Sequence, residues 1–267
     1  MPRDRGFALL LVLWSLVLLT MITTRLIAAG RDEVHLASNL RAAASAEMLA
    51  DAAVHEAVFH LLDRSDAGWE AGGAPRRVAL PGGTAVLRIG DESGRVNPNQ
   101  ASEALLRALL QGVGADAGTA RAVAASILDW RSVGPFARPF GAKGPEYRAA
   151  GRDYGPPEAQ FRTVSELGLV LGMTPALLDR LAPHMTVFYD GDPDPGHAGP
   201  VVLKALRASS GQDDIGGAGR ATIRVVSIVA EAATLDGGRF NRAAVVRVGA
   251  GTAGLPYQIL DWRRTDG

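Results

Sequence analysis

The chain has 267 residues, and its 28 lysine and arginine residues balance 28 aspartate and glutamate residues, so the formal net charge is zero. This balance argues against a protein whose main task is non-specific binding of nucleic acid or anionic lipid, because such proteins carry a basic excess. Hydrophobic residues make up 47% of the chain and cysteine is absent. The composition therefore indicates a folded protein without disulfides, thiolate metal sites or a cysteine nucleophile.

Residues 6–24 form an apolar run of nineteen residues without a charge. As a helix, this run would be about 28 Å long, close to the thickness of the hydrocarbon core of a bilayer. Because Arg3 and Arg5 precede it, the positive-inside rule places the amino terminus in the cytoplasm and the rest of the chain across the membrane. The alternatives are a buried helix of a soluble protein and a cleaved secretory signal. A signal fits poorly, since Ile27 occupies one of the two positions before the cut that need small residues, and Arg25 lies within the cleavage region.

The helix predicted from the apolar run continues beyond it. Residues 25–62 contain no proline and one glycine, and they are rich in alanine, leucine, arginine and glutamate, which are good helix formers. One helix from about Phe7 to Leu62 would be roughly 80 Å long, with its second half packed on a folded domain. Next, residues 77–80 and 84–89 predict a β-hairpin. Segments rich in valine and isoleucine predict later strands at 221–230 and 242–248, and residues 257–262 predict a last short strand.

Helical patterns dominate between these two groups of strands. The predicted helices cover residues 102–111, 116–130, 164–171 and 174–181, with Ser102, Asp116 and Thr174 as N-caps and a Gly/Pro-rich loop over 134–157. We expect their core to contain Leu105, Leu106, Leu109, Val123, Ile127, Trp130, Leu167, Leu171, Leu178 and Leu181. The predicted fold class is α+β: a long helix (7–62) on a sheet domain (63–97 plus 186–267), with an inserted helical domain (98–185).

A Gly/Pro-rich loop with alternating carboxylates is the best candidate for a metal site. Alternating acidic residues supply the oxygen ligands that calcium prefers. An EF-hand would have glycine at the sixth position and glutamate at the twelfth, where this chain has Pro195 and Val201. A solvated acidic turn is the alternative interpretation. The calcium candidates are Asp190, Asp192 and Asp194 in this loop, with Asp129 and Glu146 elsewhere.

Residues 109–114, of sequence LLQGVG, followed by apolar positions 120, 123 and 127, resemble a helix-hairpin-helix motif. In nucleic-acid-binding members of that class, backbone N–H groups of the hairpin hold a phosphate. This suggests an alternative function, a membrane-anchored periplasmic DNA-binding protein. However, Arg121 and Arg131 are balanced by Asp116 and Asp129, so a purely structural αα-hairpin is favoured and no nucleic-acid partner is expected. No nucleophile elbow or phosphate-binding loop occurs either, and we predict that the chain is not an enzyme.

Several short blocks carry a family resemblance. Gly6-Phe7, at the start of the apolar helix, resembles the cleavage site of type IV prepilin-like proteins, where a prepilin peptidase cuts after the glycine and methylates the new terminal phenylalanine. The further blocks are DESGRVNPN (91–99), ILDW (127–130), GPEY (144–147), VSEL (164–167) and PYQILDWR (256–263). In this order they resemble the general secretion pathway protein K family, the large minor pseudopilin of type II secretion systems.

The resemblance implies an assembly protein of the inner membrane, with a leader of residues 1–6 and its C-terminal bulk in the periplasm. It would cap the tip of the pseudopilus and help to initiate assembly for the export of folded proteins. Its partners would be minor pseudopilins of the I and J type. Two departures concern the region where calcium is bound in the family: Arg131-Ser132-Val133 replace further acidic residues, and residues 194–198 replace an Asn-rich segment. A pilus-tip adhesin is a more distant alternative.

One position departs from the wider pilin-like family. Most members have glutamate as the fifth residue after the cleavage site, where it is thought to pair with the free amine of an adjacent subunit. Here that position is Leu11, and residues 7–24 contain no acidic residue. An unpaired carboxylate in hydrocarbon is costly. The hypothesis is that a subunit which begins the filament does not need this ion pair, while the alternative is that Leu11 simply faces lipid.

Overall fold

The structure is a computed structural model of the chain. It describes residues 4–210, 224–249 and 254–265, excluding the side chains of residues 4–6, 8 and 25–35. The α-helices within this part of the chain are α1 (Asp4–Leu62), α2 (Glu103–Gly112), α3 (Ala117–Arg131), α4 (Gly144–Ala149), α5 (Pro175–Leu181) and α6 (Pro200–Ser210). Its strands are β1 (Arg76–Leu80), β2 (Gly83–Asp91), β3 (Arg224–Thr234), β4 (Arg239–Val248) and β5 (Tyr257–Arg264).

The helix α1 is 59 residues long and differs between its two halves. Its first half exposes large apolar side chains from Leu9 to Ile22, whereas its second half packs on the sheet. Within the described residues, no helix meets both the length and the hydropathy needed to span a membrane.

The five strands form one antiparallel sheet in the order β1-β2-β3-β4-β5. Four strand segments were predicted within a few residues of their bounds, but β3 extends to Thr234 and the predicted residues 221–223 lie outside the described residues. Although α2 to α6 lie between them in the chain, β2 and β3 are direct neighbours, with Gly83 opposite Thr234 and Asp91 opposite Val226. The helices α2 to α6 thus separate β2 from β3 in the sequence, but the two strands are still paired in the sheet.

Alanine is the most frequent residue in the core between α1 and the sheet. Arg242 crosses this contact and donates to Asp51 at 2.6 Å and to Glu47 at 2.7 Å. Alanine allows close backbone approach, and the ion pairs fix the position of the helix. The buried alanines are Ala46, Ala50, Ala53 and Ala57 of α1 and Ala85, Ala230, Ala232 and Ala244 of the sheet.

The helices α2 to α6 (residues 102–210, called the helical unit below) surround a second core. As predicted, the side chains of Ser102, Asp116 and Thr174 accept hydrogen bonds from the first turns of their helices. Of the predicted core, Leu171 and Leu178 are only partly buried. The fully buried members are Leu105, Leu106, Leu109, Val123, Ile127, Trp130, Leu167 and Leu181.

Three sequence predictions are wrong in this region. Residues 200–210 form a helix rather than part of the sheet, because Pro200 presets the first turn and Val202 and Ala205 pack into the helical core. The predicted loop 134–157 contains α4, whose first turn is held by Glu146 accepting from the Lys143 N–H at 2.8 Å. The predicted helix 164–171 is a 3-10 helix over Val164–Leu169.

Candidate functional site

The chain leaves the sheet and enters the helical unit through residues 91–101, called the joint below. Asp91 ends β2 and accepts from the N–H of Ser93 at 2.9 Å and from its Oγ at 2.6 Å. A Cβ atom at position 94 would lie 2.2 Å from the carbonyl oxygen of His197. Only glycine therefore allows this tight turn to pack against the loop that precedes α6.

A buried ion pair lies at the start of the joint. The Glu92 side chain is buried, and its Oε1 lies 2.7 Å from Nη1 of Arg95, although not in hydrogen-bond geometry. Nη2 of Arg95 lies 3.4 Å from Oγ of Ser227 in β3. Since an unpaired buried carboxylate is strongly destabilising, the pair explains why the DESGR block contains both charges.

Two asparagines connect the joint to distant parts of the helical unit. Asn97 donates to the carbonyl oxygen of Tyr189 at 2.9 Å. Asn99 donates to the carbonyl oxygen of Phe161 at 2.9 Å and accepts from its N–H at 2.7 Å, as a β-strand partner would. Val96 also forms a short parallel bridge with Met185. The asparagines of the DESGRVNPN block thus attach the joint to the helical unit. Their hydrogen-bond partners could not be predicted from the sequence.

Arg131, which occupies one of the departures from the family pattern, ties α3 to the joint. Its guanidinium donates to the carbonyl oxygens of Pro98 and Ala101. Burial, and secondarily the charge of Arg138, lower the pKa of Arg131. Arginine at this position therefore has a local role, because it satisfies carbonyl groups that would otherwise lack a partner.

Asp129 and Glu146, two of the calcium candidates, belong to a polar cluster beside α3. The Oδ2 atom of Asp129 accepts from the Arg138 N–H at 3.0 Å, and Nζ of Lys143 donates to the Asp129 carbonyl oxygen at 2.8 Å. Burial raises the pKa of Asp129 despite these neighbours. Lys143 is one of only two lysines in an arginine-rich chain. This rarity is the sequence signal from which a structural role of Lys143 could have been predicted.

The other calcium candidates lie beyond Met185. Asp190 accepts from Gln100 Nε2 at 3.0 Å, Asp192 is exposed, and Asp194 accepts from the Gly196 N–H at 2.8 Å. Among the described residues, no group of three acidic or histidine side chains is arranged to hold a metal ion. Calcium binding at these five carboxylates stays a sequence prediction.

Ser93, His197 and Asp194 come together although the sequence did not suggest it. Nδ1 of His197 lies 3.1 Å from Oδ2 of Asp194 and 3.4 Å from Oγ of Ser93. A catalytic triad needs the serine on one ring nitrogen and the carboxylate on the other. Here both groups face the same nitrogen, and Ser93 also donates to Asp91, so the arrangement is not that of an activated nucleophile.

The hairpin between α2 and α3 is closed to phosphate. The N–H groups of Val113, Gly114 and Ala115 donate to α2 carbonyls at 3.0 Å. Asp116 accepts from the N–H groups of Gly118 and Thr119, so its carboxylate occupies the N-terminus of α3. Hydrogen bonds from Thr119 lower the pKa of Asp116. An ionised carboxylate at this place would repel a phosphate, which disfavours the DNA-binding alternative.

The predicted processing site lies at the start of α1. Gly6 is within the helix, and Phe7 and Leu11 are exposed, while residues 1–3 of the predicted leader lie outside the described residues. Cleavage after Gly6, methylation of Phe7 and the meaning of Leu11 stay predictions.

A comparison with known protein families finds a match for the region that contains the joint. Residues 85–190 match the family model described as Type II secretion system (T2SS), protein K. No curated protein matches the chain. A similar solved structure is the crystal structure of the GspK-GspI-GspJ complex from the enterotoxigenic Escherichia coli Type 2 Secretion System. The match has 16% identity and a TM-score of 0.62, and it covers 89% of this chain and 99% of that chain. At this identity, the structural match shows a shared fold of helices and antiparallel sheet.

Proposed function

Because residues 85–190 match the model of the protein K family of type II secretion systems, we propose that this chain is a minor pseudopilin that caps the tip of a periplasmic pseudopilus and helps to initiate its assembly. The observation that carries the proposal is the family match over residues 85–190, which covers the joint, α2 to α5 and the polar contacts between them. We assign the chain no catalytic step, and neither comparison supports DNA binding.

The proposed partners are minor pseudopilins of the I and J type. The similar solved structure is a complex of three proteins, named GspK, GspI and GspJ. The match covers 99% of that chain, which supports the same kind of assembly for this one. The accompanying proposal is that residues 98–185, extended here to the end of α6, form a domain inserted between β2 and β3. The direct pairing of these strands supports it.

Membrane anchoring is part of the same proposal. The first half of α1 exposes a continuous set of large apolar side chains from Leu9 to Ile22, and exposed apolar surface of this extent needs a partner. With Arg3 and Arg5 on the cytoplasmic side, the C-terminal bulk would lie in the periplasm and the anchor in the inner membrane. A prepilin peptidase would then cut between Gly6 and Phe7 and methylate Phe7.

Two measurements test the proposal. Deletion of the gene should abolish export of the system's folded substrates, and expression of the chain should restore it. Mass spectrometry of the protein extracted from membranes should show an amino terminus at a methylated Phe7. An amino terminus at Met1, or near Gly30, would contradict the processing proposal, and normal export in the deletion strain would contradict the function.

The tip position has its own test at Leu11. An adjacent subunit above this chain would offer an amine to a glutamate at that position, whereas a tip subunit has none. The variant Leu11→Glu should therefore insert less well and recover fewer I-type and J-type partners, because it places an unpaired carboxylate in hydrocarbon. Leu10→Glu is the matched control for a carboxylate one position away. Better secretion by Leu11→Glu, or labelling of the chain along the filament shaft, would contradict the tip position.

A further inference from the structure

A buried lysine lies among oxygen atoms beside the C-terminus of α3. Lys143 is 3% exposed, and its Nζ donates to the carbonyl oxygens of Asp129, at 2.8 Å, and Ser132. Nζ also donates to Oε1 of Glu158 at 3.4 Å. These two carbonyl oxygens and the Glu158 carboxylate are called the oxygen cluster below. Because an ammonium group has three N–H donors, the oxygen cluster uses all of them.

The oxygen cluster concentrates negative charge independently of Lys143. The helix α3 ends at Arg131, and the carbonyl groups of a last helical turn lack partners within the helix and carry partial negative charge. The carboxylate of Glu158 adds a full charge. Glu158 has a φ of 55°, in the left-handed region that residues with a side chain rarely adopt, and such conformations persist only where surrounding contacts impose them. The fold therefore places the carboxylate where a cation must balance it.

The atoms of the oxygen cluster are of the kind that calcium prefers, namely backbone carbonyls and carboxylates. Asp129 and Glu146, which lie beside it, are calcium candidates in the sequence. A calcium ion bound to the oxygen cluster would have to take the position of the Lys143 ammonium. A second, divalent cation beside a buried ammonium is strongly unfavourable, because charges interact strongly away from water. The oxygen cluster therefore does not fit the ion while Lys143 is present.

Other groups of the chain bind the carboxylates of these two calcium candidates. Oδ2 of Asp129 accepts from the Arg138 N–H at 3.0 Å, and Nε of Arg138 lies 3.4 Å from Oδ1. A Cβ atom at position 141 would lie 2.1 Å from Oδ2 of Asp129, so the backbone covers this carboxylate. Oε2 of Glu146 accepts from the backbone N–H of Lys143 at 2.8 Å. Both carboxylates thus have partners within the helical unit.

The residue type at position 143 agrees with the role of a bound cation. The chain has 28 lysine and arginine residues, of which only Lys143 and Lys204 are lysines. Arginine presents a planar fork of donors, whereas the ammonium of lysine is a compact point charge. Three converging oxygen atoms suit a compact charge, as they do in metal sites. Lysine is rarely buried without such compensation, so the oxygen cluster explains why this lysine is buried.

We propose that the oxygen cluster is a cation site whose bound cation is the ammonium of Lys143, so that the helical unit folds without a divalent metal ion at this place. Lys143 takes the position of such an ion and joins the end of α3 to the start of α4 and to Glu158. Removal of the ammonium should leave the oxygen cluster able to bind calcium, provided that the new side chain is small. The inference concerns the helical unit alone and does not depend on the proposed function.

The test is thermal unfolding of the purified full chain in a chelator and in excess calcium, with the ionic strength matched by sodium chloride. Lys143→Ser removes the ammonium and opens space, so it should melt about 5–10 °C below the parent in the chelator, and calcium should restore most of this loss. Lys143→Met fills the space without a charge and should melt lower in both solutions. Lys204→Ser, at an exposed position of α6, is the matched control and should melt like the parent in both.

Glu158→Gln locates the calcium response, because it removes the only carboxylate of the oxygen cluster. Added to Lys143→Ser, it should abolish the restoration by calcium, and in the parent there should be no calcium response for it to remove. A parent whose melting temperature rises in calcium, and no longer does so after Glu158→Gln, would overturn the proposal. So would Lys143→Ser that melts like the parent in the chelator, or whose melting temperature calcium leaves unchanged.

Discussion

The two cores of the molecule use side chains of different size. Between α1 and the sheet, both sides bury alanines among branched aliphatic side chains, and Arg242 adds ion pairs to Glu47 and Asp51. In the helical unit, leucines and the stacked rings of Trp130 and Phe161 fill the interior. The contact between α1 and the sheet depends on close approach of the two backbones. The core of the helical unit depends on large side chains that fill its interior. The two regions should therefore respond in opposite ways to larger and smaller side chains.

The largest effect is expected from a truncation in the helical core. Leu109 is completely buried, so Leu109→Ala should lower the free energy of unfolding by about 2–5 kcal/mol through lost burial and a residual cavity. Thermal unfolding of the purified chain measures it. Leu169→Ala, at an exposed position of the same unit, is the matched control and should change stability by less than about 0.5 kcal/mol. Equal melting temperatures for the two variants would contradict the core assignment.

The opposite substitution tests the contact between α1 and the sheet. Ala53 is completely buried between them, so Ala53→Leu should destabilise the chain by about 1–3 kcal/mol because the helix would have to move away. Ala52→Leu places the same group on the exposed side of α1 and should be nearly neutral. If Ala53→Leu stabilised the chain, the close approach of helix and sheet would be refuted.

Loss of the Asn99 side-chain amide, which holds the joint to Phe161, should lower the free energy of unfolding. Asn99→Ala removes both hydrogen bonds to Phe161 and leaves a buried donor and acceptor without a partner, at a cost of about 1–3 kcal/mol. Gln100→Ala removes an exposed bond to Asp190 and serves as the control. Denaturant unfolding of both variants should separate them, and a loss of equal size would mean that the joint is not held by Asn99.

The smallest effect concerns the pH dependence of the helical unit. Burial raises the pKa of Asp129 in the folded chain, so the folded state binds this proton more tightly than the unfolded state. The stability from this group is fully present below the ordinary carboxyl pKa and is lost as the pH rises through the raised folded pKa. In Asp129→Asn, the free energy of unfolding should change less with pH between the ordinary carboxyl pKa and the raised pKa. An unchanged profile in unfolding experiments at several pH values would contradict this.

The regular elements were predictable where the sequence carries local signals. Ser102, Asp116 and Thr174 are N-caps because their side chains compete for free N–H groups at helix starts, and alternating valines predicted β4. The joint was recognised only by resemblance, since Glu92 and Asn99 find their partners through tertiary contacts. The helix α6 was missed because Pro200 and two valines carry little helical signal. Residues 134–141 were predicted only as part of a Gly/Pro-rich loop, because the exposure of Phe136 and Phe140 is not visible in a sequence.

The most direct test of the central claim is the composition of the complex that the chain forms in cells. The full chain should be purified from cells that express the other pseudopilins of the system, and intact-complex mass spectrometry should identify its stable partners. We predict one assembly that contains this chain with I-type and J-type minor pseudopilins. Recovery of the chain alone, or with DNA in place of these subunits, would contradict the assignment as a tip pseudopilin.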